Sequence, residues 1–289
     1  MDGDTLMTIL AIDADIVAYR SAFNAEKAVK WDEDLWTLWS SEEEATHFAI
    51  ATITNIWESF KELTHDPIVT PVLCWSHKNN FRKKIWPEYK MNRKDQRKPL
   101  CLRRIRDRLG YVYQYNIEQD GYEADDIIGE FITCKDPYAK LWDVDEPVNT
   151  QNNRAVCVTI DKDLRTVPGL HYIDNKLVEI TENEANLSWM CQTIAGDSVD
   201  NIIGVKGLGI KRAEKLLLNR IGDKKQWDVP PFDVKHMWDD VVLPTYEKHG
   251  YTNQQALLNA RLTRIQREGD TTDLNGYKDL LLGVNYPTP

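Results

Sequence analysis

Residues 155–164 read Ala155-Val156-Cys157-Val158-Thr159-Ile160-Asp161-Lys162-Asp163-Leu164, an almost wholly apolar run that ends on two acids. Val156, Val158 and Ile160 alternate within it, as in a strand buried inside a sheet. The chain opens the same way: Thr8 to Ile12 reads as a short buried strand, and Asp13 and Asp15 directly follow it. Between these two strands come helical spacing from Ala45 to Leu63, a β-rich run from Ile68 to Trp75 and a helix from Leu100 to Leu109. A strand candidate at Tyr111–Tyr115 and helical spacing over 122–132 complete the series. Strands alternating with helices predict an α/β fold, a mainly parallel central sheet with flanking helices, whose ligand site lies beyond the strands' C-terminal ends. From Ala185 the pattern is helical, including a helix over 254–266. The expected division is therefore an α/β domain at 1–182 and a helical region at 183–289. The polar stretch Asp143–Arg154 reads as an exposed loop.

Composition narrows the class. Of 289 residues 42% are hydrophobic and 28% charged, the usage of a globular protein with a sizeable core. No run approaches the length needed to span a bilayer, and the acidic start Met1-Asp2-Gly3-Asp4 is unlike a signal peptide, so no membrane partner and a cytoplasmic location are expected. Five scattered cysteines without a Cys-x-x-Cys pair point to neither a disulfide framework nor a zinc site. The net charge of −10 argues against nucleic acid until its distribution is read. Thirteen Lys or Arg stand against Glu88, Asp95 and Asp107 between Lys78 and Arg108. Such a block is either a solvated face or a phosphate-binding surface.

The acids recur where elements begin or end. Asp13 and Asp15 follow the first strand, Glu123, Asp125 and Asp126 start a helix, Asp161 and Asp163 follow the strand quoted above, and Asp197 and Asp200 flank a turn. Taken singly, each pair suits a turn or a helix N-cap. Taken together, one cleft explains all four placements. Carboxylates crowded there need cations to stay ionised, and oxygen ligands favour Mg²⁺ or Mn²⁺. Two ions would activate a water and stabilise the leaving oxygen of a phosphodiester.

A second motif, Gly204-Val205-Lys206-Gly207-Leu208-Gly209-Ile210-Lys211-Arg212, lies between helical segments. Its glycines permit a tight turn, and the free N–H groups of the following helix suit a phosphate oxygen. Lys206, Lys211 and Arg212 add charge, so sequence-independent duplex binding through a hairpin at 203–213 is expected.

These motifs and their order, together with Pro87-Glu88-Tyr89-Lys90-Met91-Asn92-Arg93, resemble the 5′-nuclease (flap endonuclease, PIN-like) superfamily. They are most similar to its bacteriophage 5′→3′ exonuclease branch, related to the N-terminal domain of bacterial DNA polymerase I. The resemblance implies two-metal hydrolysis of DNA at 5′ ends or flaps, with one ion near Asp13, Glu123 and Asp125. A second ion would lie near Asp161, Asp163 and Asp200, with Asp126 and Asp197 close by. It further implies a basic helical arch over about 78–108, in which Lys90 and Arg93 contact the scissile phosphate and Tyr89 stacks on a base. Arg82, Lys83, Lys84, Lys94, Arg97 and Lys98 would then bind DNA, and the Gly204, Gly207 and Gly209 hairpin would grip duplex, with K⁺ between its carbonyls and a phosphate. RNA–DNA hybrids and replication proteins, such as a polymerase or single-strand-binding protein, are further expected partners in a phage-infected host.

One position departs from the family pattern. Where an Asp ligand is expected after the second strand, Cys74-Trp75-Ser76-His77 places His77, a neutral donor in a site for hard cations. Two other readings follow: a DNA-structure-binding protein on the same fold with catalysis weakened at His77, and a small acidic-cleft ribonuclease, which would lack both hairpin and arch.

Overall fold

In a computed structural model, residues 6–142, 153–221 and 234–270 are described. The elements run β1 (Met7–Asp13), α1 (Ala14–Asn24), β2 (Glu26–Asp32), β3 (Leu35–Ser40), α2 (Glu42–Thr64), β4 (Ile68–Trp75), α3 (Phe81–Ile85) and α4 (Leu102–Val112). Next come β5 (Asn116–Glu118), α5 (Ala124–Thr133), α6 (Pro137–Trp142), β6 (Asn153–Val158), β7 (Gly169–Ile173), β8 (Lys176–Ile180) and α7 (Glu182–Ala195). The chain continues through β9 (Gly196–Asp197), β10 (Ile202–Ile203), α8 (Ile210–Ile221), α9 (Val234–Met237), α10 (Leu243–Lys248) and α11 (Asn253–Thr263). The loop expected at 143–154 lies almost wholly outside the described residues.

Two compact units result, and the division is not a single cut in the chain. The first holds described residues within 6–78, 96–160 and 170–178; the second holds those within 79–95, 161–169 and 179–270.

The first unit is built on a six-stranded sheet in the order β5-β4-β1-β6-β7-β8. β1 runs parallel to both β4 and β6, with Asp13 beside Cys74 and Ile12 beside Val158, so the three strands end level. β1 is buried from Thr8 to Asp13, as a central strand covered on both faces must be. Leu10 and Ile12 join a core with Ala18 and Ala22 of α1, Ala49 and Ile53 of α2, and Ile105 and Leu109 of α4. Ile9 and Ala11 point the other way and are equally buried, and α5 packs against β1, β4 and β6. The parallel sheet with flanking helices matches the α/β expectation.

Three local readings change. The strand candidate at Tyr111–Tyr115 is instead the end of α4 and its exit, and β5 begins at Asn116. Tyr111 and Tyr113 alternate as in a strand, but Ile105 and Leu109 pin a helical face to the core. No element is expected between β1 and residue 45, yet the stretch holds α1, which buries Ala14, Val17, Ala18 and Ala22 at helical spacing, and the antiparallel β2–β3 ribbon, whose exposed strands show no core periodicity. The basic segment is not one helical arch. It is the five-residue α3, a single 3-10 turn at Met91–Arg93 and, after Pro99, α4, with Pro87 and Pro99 breaking any continuous helix.

In the second unit, α7 starts on a capping box in which Thr181 and Glu184 satisfy each other's backbone N–H groups. Trp189 donates from Nε1 to the Ala260 carbonyl of α11 at 2.9 Å and packs with Met190, Trp238 and Tyr246. This fixes the C-terminal end of α7, from which the Asp197–Asp200 turn and the Gly-rich hairpin emerge.

Candidate metal and nucleic-acid site

The first carboxylate set forms where β1 and β4 end and α5 begins. Asp13 caps α1 by accepting the Ile16 N–H at 3.1 Å and is itself buried. Asp15 accepts the Ser76 N–H at 2.8 Å, and the Ser76 hydroxyl oxygen accepts the Ala124 N–H at 3.0 Å, so the residue after β4 joins α1 to the start of α5. Glu123 is the N-cap of α5, and its N–H donates to the fully buried Asp126 at 3.1 Å. Burial pushes the Asp15 carboxyl up, against the Ser76 hydrogen bonds and Arg106, and Glu123 adds to the rise. Burial likewise pushes the Cys74 thiol well up, reinforced by the charges of Asp13, Asp125 and Asp15. The charges of Asp13, Asp15 and Asp125 are thus felt at Cys74 in β4, and that of Glu123 at Asp15. His77 is held nearby: its N–H donates to the Tyr122 carbonyl at 3.0 Å, and Nδ1 lies 2.9 Å from Asp120. Asp120, Ser76 and Arg106 were not anticipated, because their roles come from segments far apart in the chain.

The second set lies wholly in the second unit. Asp161 caps the 3-10 turn Lys162–Thr166 by accepting the Asp163 N–H at 2.9 Å. Gln192 of α7 donates to Asp163 at 2.7 Å. The Asp163 carboxyl is pushed up to about 7, first by burial, then by the charges of Asp161 and Asp197, with Asp200 adding and Lys162 opposing. Asp197 accepts the Val199 N–H at 2.7 Å. Asp200 is neutralised by neighbours: Arg93 Nη2 at 2.6 Å, the Tyr89 hydroxyl at 2.9 Å and Lys90 Nζ at 3.5 Å.

The segment around Tyr89-Lys90 is in fact zipped onto the Asp197–Asn201 turn. Lys90, at a positive φ of 58°, donates its N–H to the Asp200 carbonyl at 2.9 Å. Asn92 donates to the Ser198 carbonyl at 2.8 Å, Arg93 Nε to the Val199 carbonyl at 3.0 Å, and Asn201 to the Glu88 carbonyl at 2.7 Å. Two expectations are corrected here. Tyr89 is buried with Ile202 and Leu262 rather than presented for stacking. Arg82 is buried and donates to the Leu262 and Arg264 carbonyls at 3.0 and 2.8 Å, so it is not offered to DNA. A guanidinium out of water needs fixed acceptors, and the carbonyls at the C-terminal end of α11 supply them. Lys83, Lys84 and Lys94 remain exposed in the second unit, and Arg97 and Lys98 in the first.

The hairpin glycines do different work. A Cβ on Gly204 would lie 2.1 Å from the Ala195 carbonyl, so this residue serves close packing on the end of α7. Gly207, at φ +83°, makes the turn, and its carbonyl accepts from Arg212 at 2.6 Å. Lys206, Lys211 and Arg212 are exposed beside an open concavity of about 710 Å³ lined by residues 204–212.

Both donor sets are carboxylate oxygens, the chemistry that hard divalent cations take. No group of three or more His, Cys, Asp or Glu side chains among the described residues is arranged to hold an ion as it stands. The rise at Asp163 comes first from burial and then from the like charges of Asp161, Asp197 and Asp200, which a bound cation would relieve. The residues fit divalent ions.

The sequence profile of the 5′-3′ exonuclease N-terminal resolvase-like domain matches residues 8–185, more than half of the chain. The chain belongs to this 5′-3′ exonuclease family and is a nuclease. It is 25% identical over 281 residues to the exonuclease of Escherichia phage T7, covering 90% of this chain and 88% of the relative. It is 36% identical over 148 residues to DNA polymerase I of Caldicellulosiruptor bescii, covering 47% of this chain and 17% of that protein. Its fold is shared with a T5 5′-exonuclease structure with bound zinc, at a TM-score of 0.56 and 18% identity over 89% of this chain and 88% of that one.

Proposed function

We propose that this nuclease hydrolyses DNA phosphodiesters at 5′ ends and 5′ flaps with two divalent cations, Mg²⁺ or Mn²⁺. Asp13, Asp15, Glu123 and Asp125 would hold one ion, and Asp161, Asp163, Asp197 and Asp200 the other. The observation that carries the reading is the pair of all-carboxylate sets, each with a carboxyl raised in part by its like-charged neighbours. Bound ions would supply an activated water and charge stabilisation for the leaving oxygen. Among the chain's own residues, Gln192 orients Asp163 and Ser76 orients Asp15. Lys90 and Arg93, now on Asp200, are the cations that a scissile phosphate would recruit once an ion takes over that carboxylate. His77, with Asp120 on Nδ1, is the remaining donor at the first set. Asp126, buried in the capping box, holds Glu123 in place by accepting its N–H and would support it as a ligand.

The hairpin would hold duplex phosphates through the first N–H groups of α8 and through Lys206, Lys211 and Arg212, with K⁺ a further proposed ligand between its carbonyls and a phosphate. Lys83, Lys84, Lys94 and Lys98 would meet the 5′ strand, whereas Arg97 is held in a bidentate pair by Glu26. DNA as substrate is supported by a T5 flap endonuclease solved with DNA and metal ions, which shares this fold. RNA–DNA hybrids and replication proteins are proposed further partners. No described helix is long and apolar enough to cross a membrane, and five free cysteines suit a reducing cytoplasm. A labelled 5′ flap and a blunt duplex, incubated with Mg²⁺, Mn²⁺ or EDTA, test the reading. Cleavage with either metal and none in EDTA is expected; binding in all three with cleavage in none would overturn it.

A further inference from the structure

The β2–β3 ribbon carries three tryptophans that the nuclease reading leaves unused. Among the described residues its two strands pair only with each other. In register, Lys27 faces Trp39, Val29 faces Thr37, Ala28 faces Leu38 and Lys30 faces Trp36. Cross-strand partners share a face, so Lys27 and Trp39 lie on one face of the ribbon and Lys30 and Trp36 on the other. Trp31 belongs with the first face, because its Nε1 donates to Thr37 at 2.7 Å. Trp31, Trp36 and Trp39 are 67%, 57% and 54% exposed. An antiparallel ribbon normally buries one face and solvates the other; this one shows indoles on both.

Charge selects the occupant. Lys27 lies over the Trp39 ring and Lys30 over the Trp36 ring, each at 5.4 Å, leaving more than half of each tryptophan open; Lys27 also pairs with Glu44 at 2.7 Å. Aromatic rings set beside cations are how base-stacking surfaces are built: the ring takes a base and the cation a phosphate. At the ribbon's foot, Glu26 accepts a bidentate pair from Arg97 at 2.7 Å and the Leu100 N–H at 2.8 Å. The Arg97 guanidinium holds the Glu26 carboxyl below its usual range. The foot is thereby tied to the basic stretch that includes Lys98, whereas Asp32, Glu33 and Asp34 make the tip acidic. Phosphates are thus drawn to the foot and repelled at the tip.

We propose that the β2–β3 ribbon is a stacking platform for single-stranded nucleic acid, with Trp31, Trp36 and Trp39 taking bases and Lys30 and Lys98 meeting phosphates. The inference rests on the reading that this nuclease acts on nucleic acid, but it uses no residue of either carboxylate set.

The test titrates the full chain in EDTA with an oligothymidylate about twelve nucleotides long, reading tryptophan fluorescence and anisotropy of the labelled strand. Cleavage of a blunt duplex with Mg²⁺ or Mn²⁺ is measured alongside. The wild type binds with quenching. A triple substitution Trp31→Ala, Trp36→Ala and Trp39→Ala weakens binding by about tenfold or more, while the corresponding Trp→Phe triple restores most of it. Both leave Tm and duplex cleavage unchanged. Absence of wild-type binding, or an Ala triple that binds within about twofold of wild type, overturns the platform. So does a triple whose only loss, by sedimentation, is self-association. If no duplex is cleaved with either metal while oligothymidylate binding still follows the rings, the nuclease reading fails and the platform stands.

Discussion

The two carboxylate sets are made in opposite ways. The first is fixed largely by backbone: Asp13 and Glu123 are N-caps, Asp15 accepts a main-chain N–H, and Asp126 closes a capping box. In the second, Asp161 and Asp197 also accept main-chain N–H groups, but the other two are held by side chains: Gln192 reaches Asp163, and Tyr89, Lys90 and Arg93, more than a hundred residues away in sequence, surround Asp200. A bound ion should therefore leave the hydrogen bonds of the first set in place, whereas at the second it should displace the proton on Asp163, whose carboxyl is raised to about 7, and the cations on Asp200.

Substitutions within the sets give the largest expected effect. Asp13→Asn and Asp163→Asn should each lower single-turnover cleavage by on the order of a thousandfold, the cost of losing several kcal/mol of charge stabilisation. Retention of activity within about tenfold for either one would remove that residue from the site.

The zipped segment should show the next largest effect. Arg93→Ala leaves Asp200 with Tyr89 and Lys90 alone and loosens residues 88–93 from the Asp197–Asn201 turn. Cleavage should fall by about ten- to a hundredfold, and Arg93→Lys should recover little, because lysine cannot reproduce the guanidinium contacts to both Val199 and Asp200. Full rescue by lysine would mean that only charge matters there.

A pH effect separates the sets next. Asp163 has a folded-state pKa raised from 3.8 to about 7. Its contribution to stability is therefore present below the unfolded value and is lost as pH rises through about 7. In EDTA, Asp163→Asn should raise Tm over wild type above pH 7, on the order of 2–4 °C for each kcal/mol gained, with the difference vanishing below about pH 4. Ion affinity at this set should climb with pH up to about 7 and then level off, since binding displaces the proton. A Tm difference independent of pH would contradict the crowding.

The smallest effect is expected at His77. His77→Asp should preserve or raise Mg²⁺-dependent turnover, since it adds a hard oxygen donor beside the first set. A collapse in turnover would show that the His77–Asp120 pair has a positive role.

What could be read in sequence follows from how each part is held. The sheet was legible because β1 and β6 are nearly continuous apolar runs ending on acids, and the first set because caps are local. The docking of Tyr89, Lys90 and Arg93 on the Asp200 turn was not, since each motif looks complete by itself. Arg82 looked like its exposed neighbours Lys83 and Lys84, and only the fold shows it buried under carbonyls. The ribbon stayed hidden because it has no core-facing side, so alternation carried no signal.

Mn²⁺ binding stoichiometry at pH 8 tests the account most directly, measured by electron paramagnetic resonance or calorimetry on the wild type, Asp13→Asn and Asp163→Asn. The account predicts two ions in the wild type and the loss of one, at a different affinity, in each variant. Two ions retained in both variants, or both lost together in either, would contradict it.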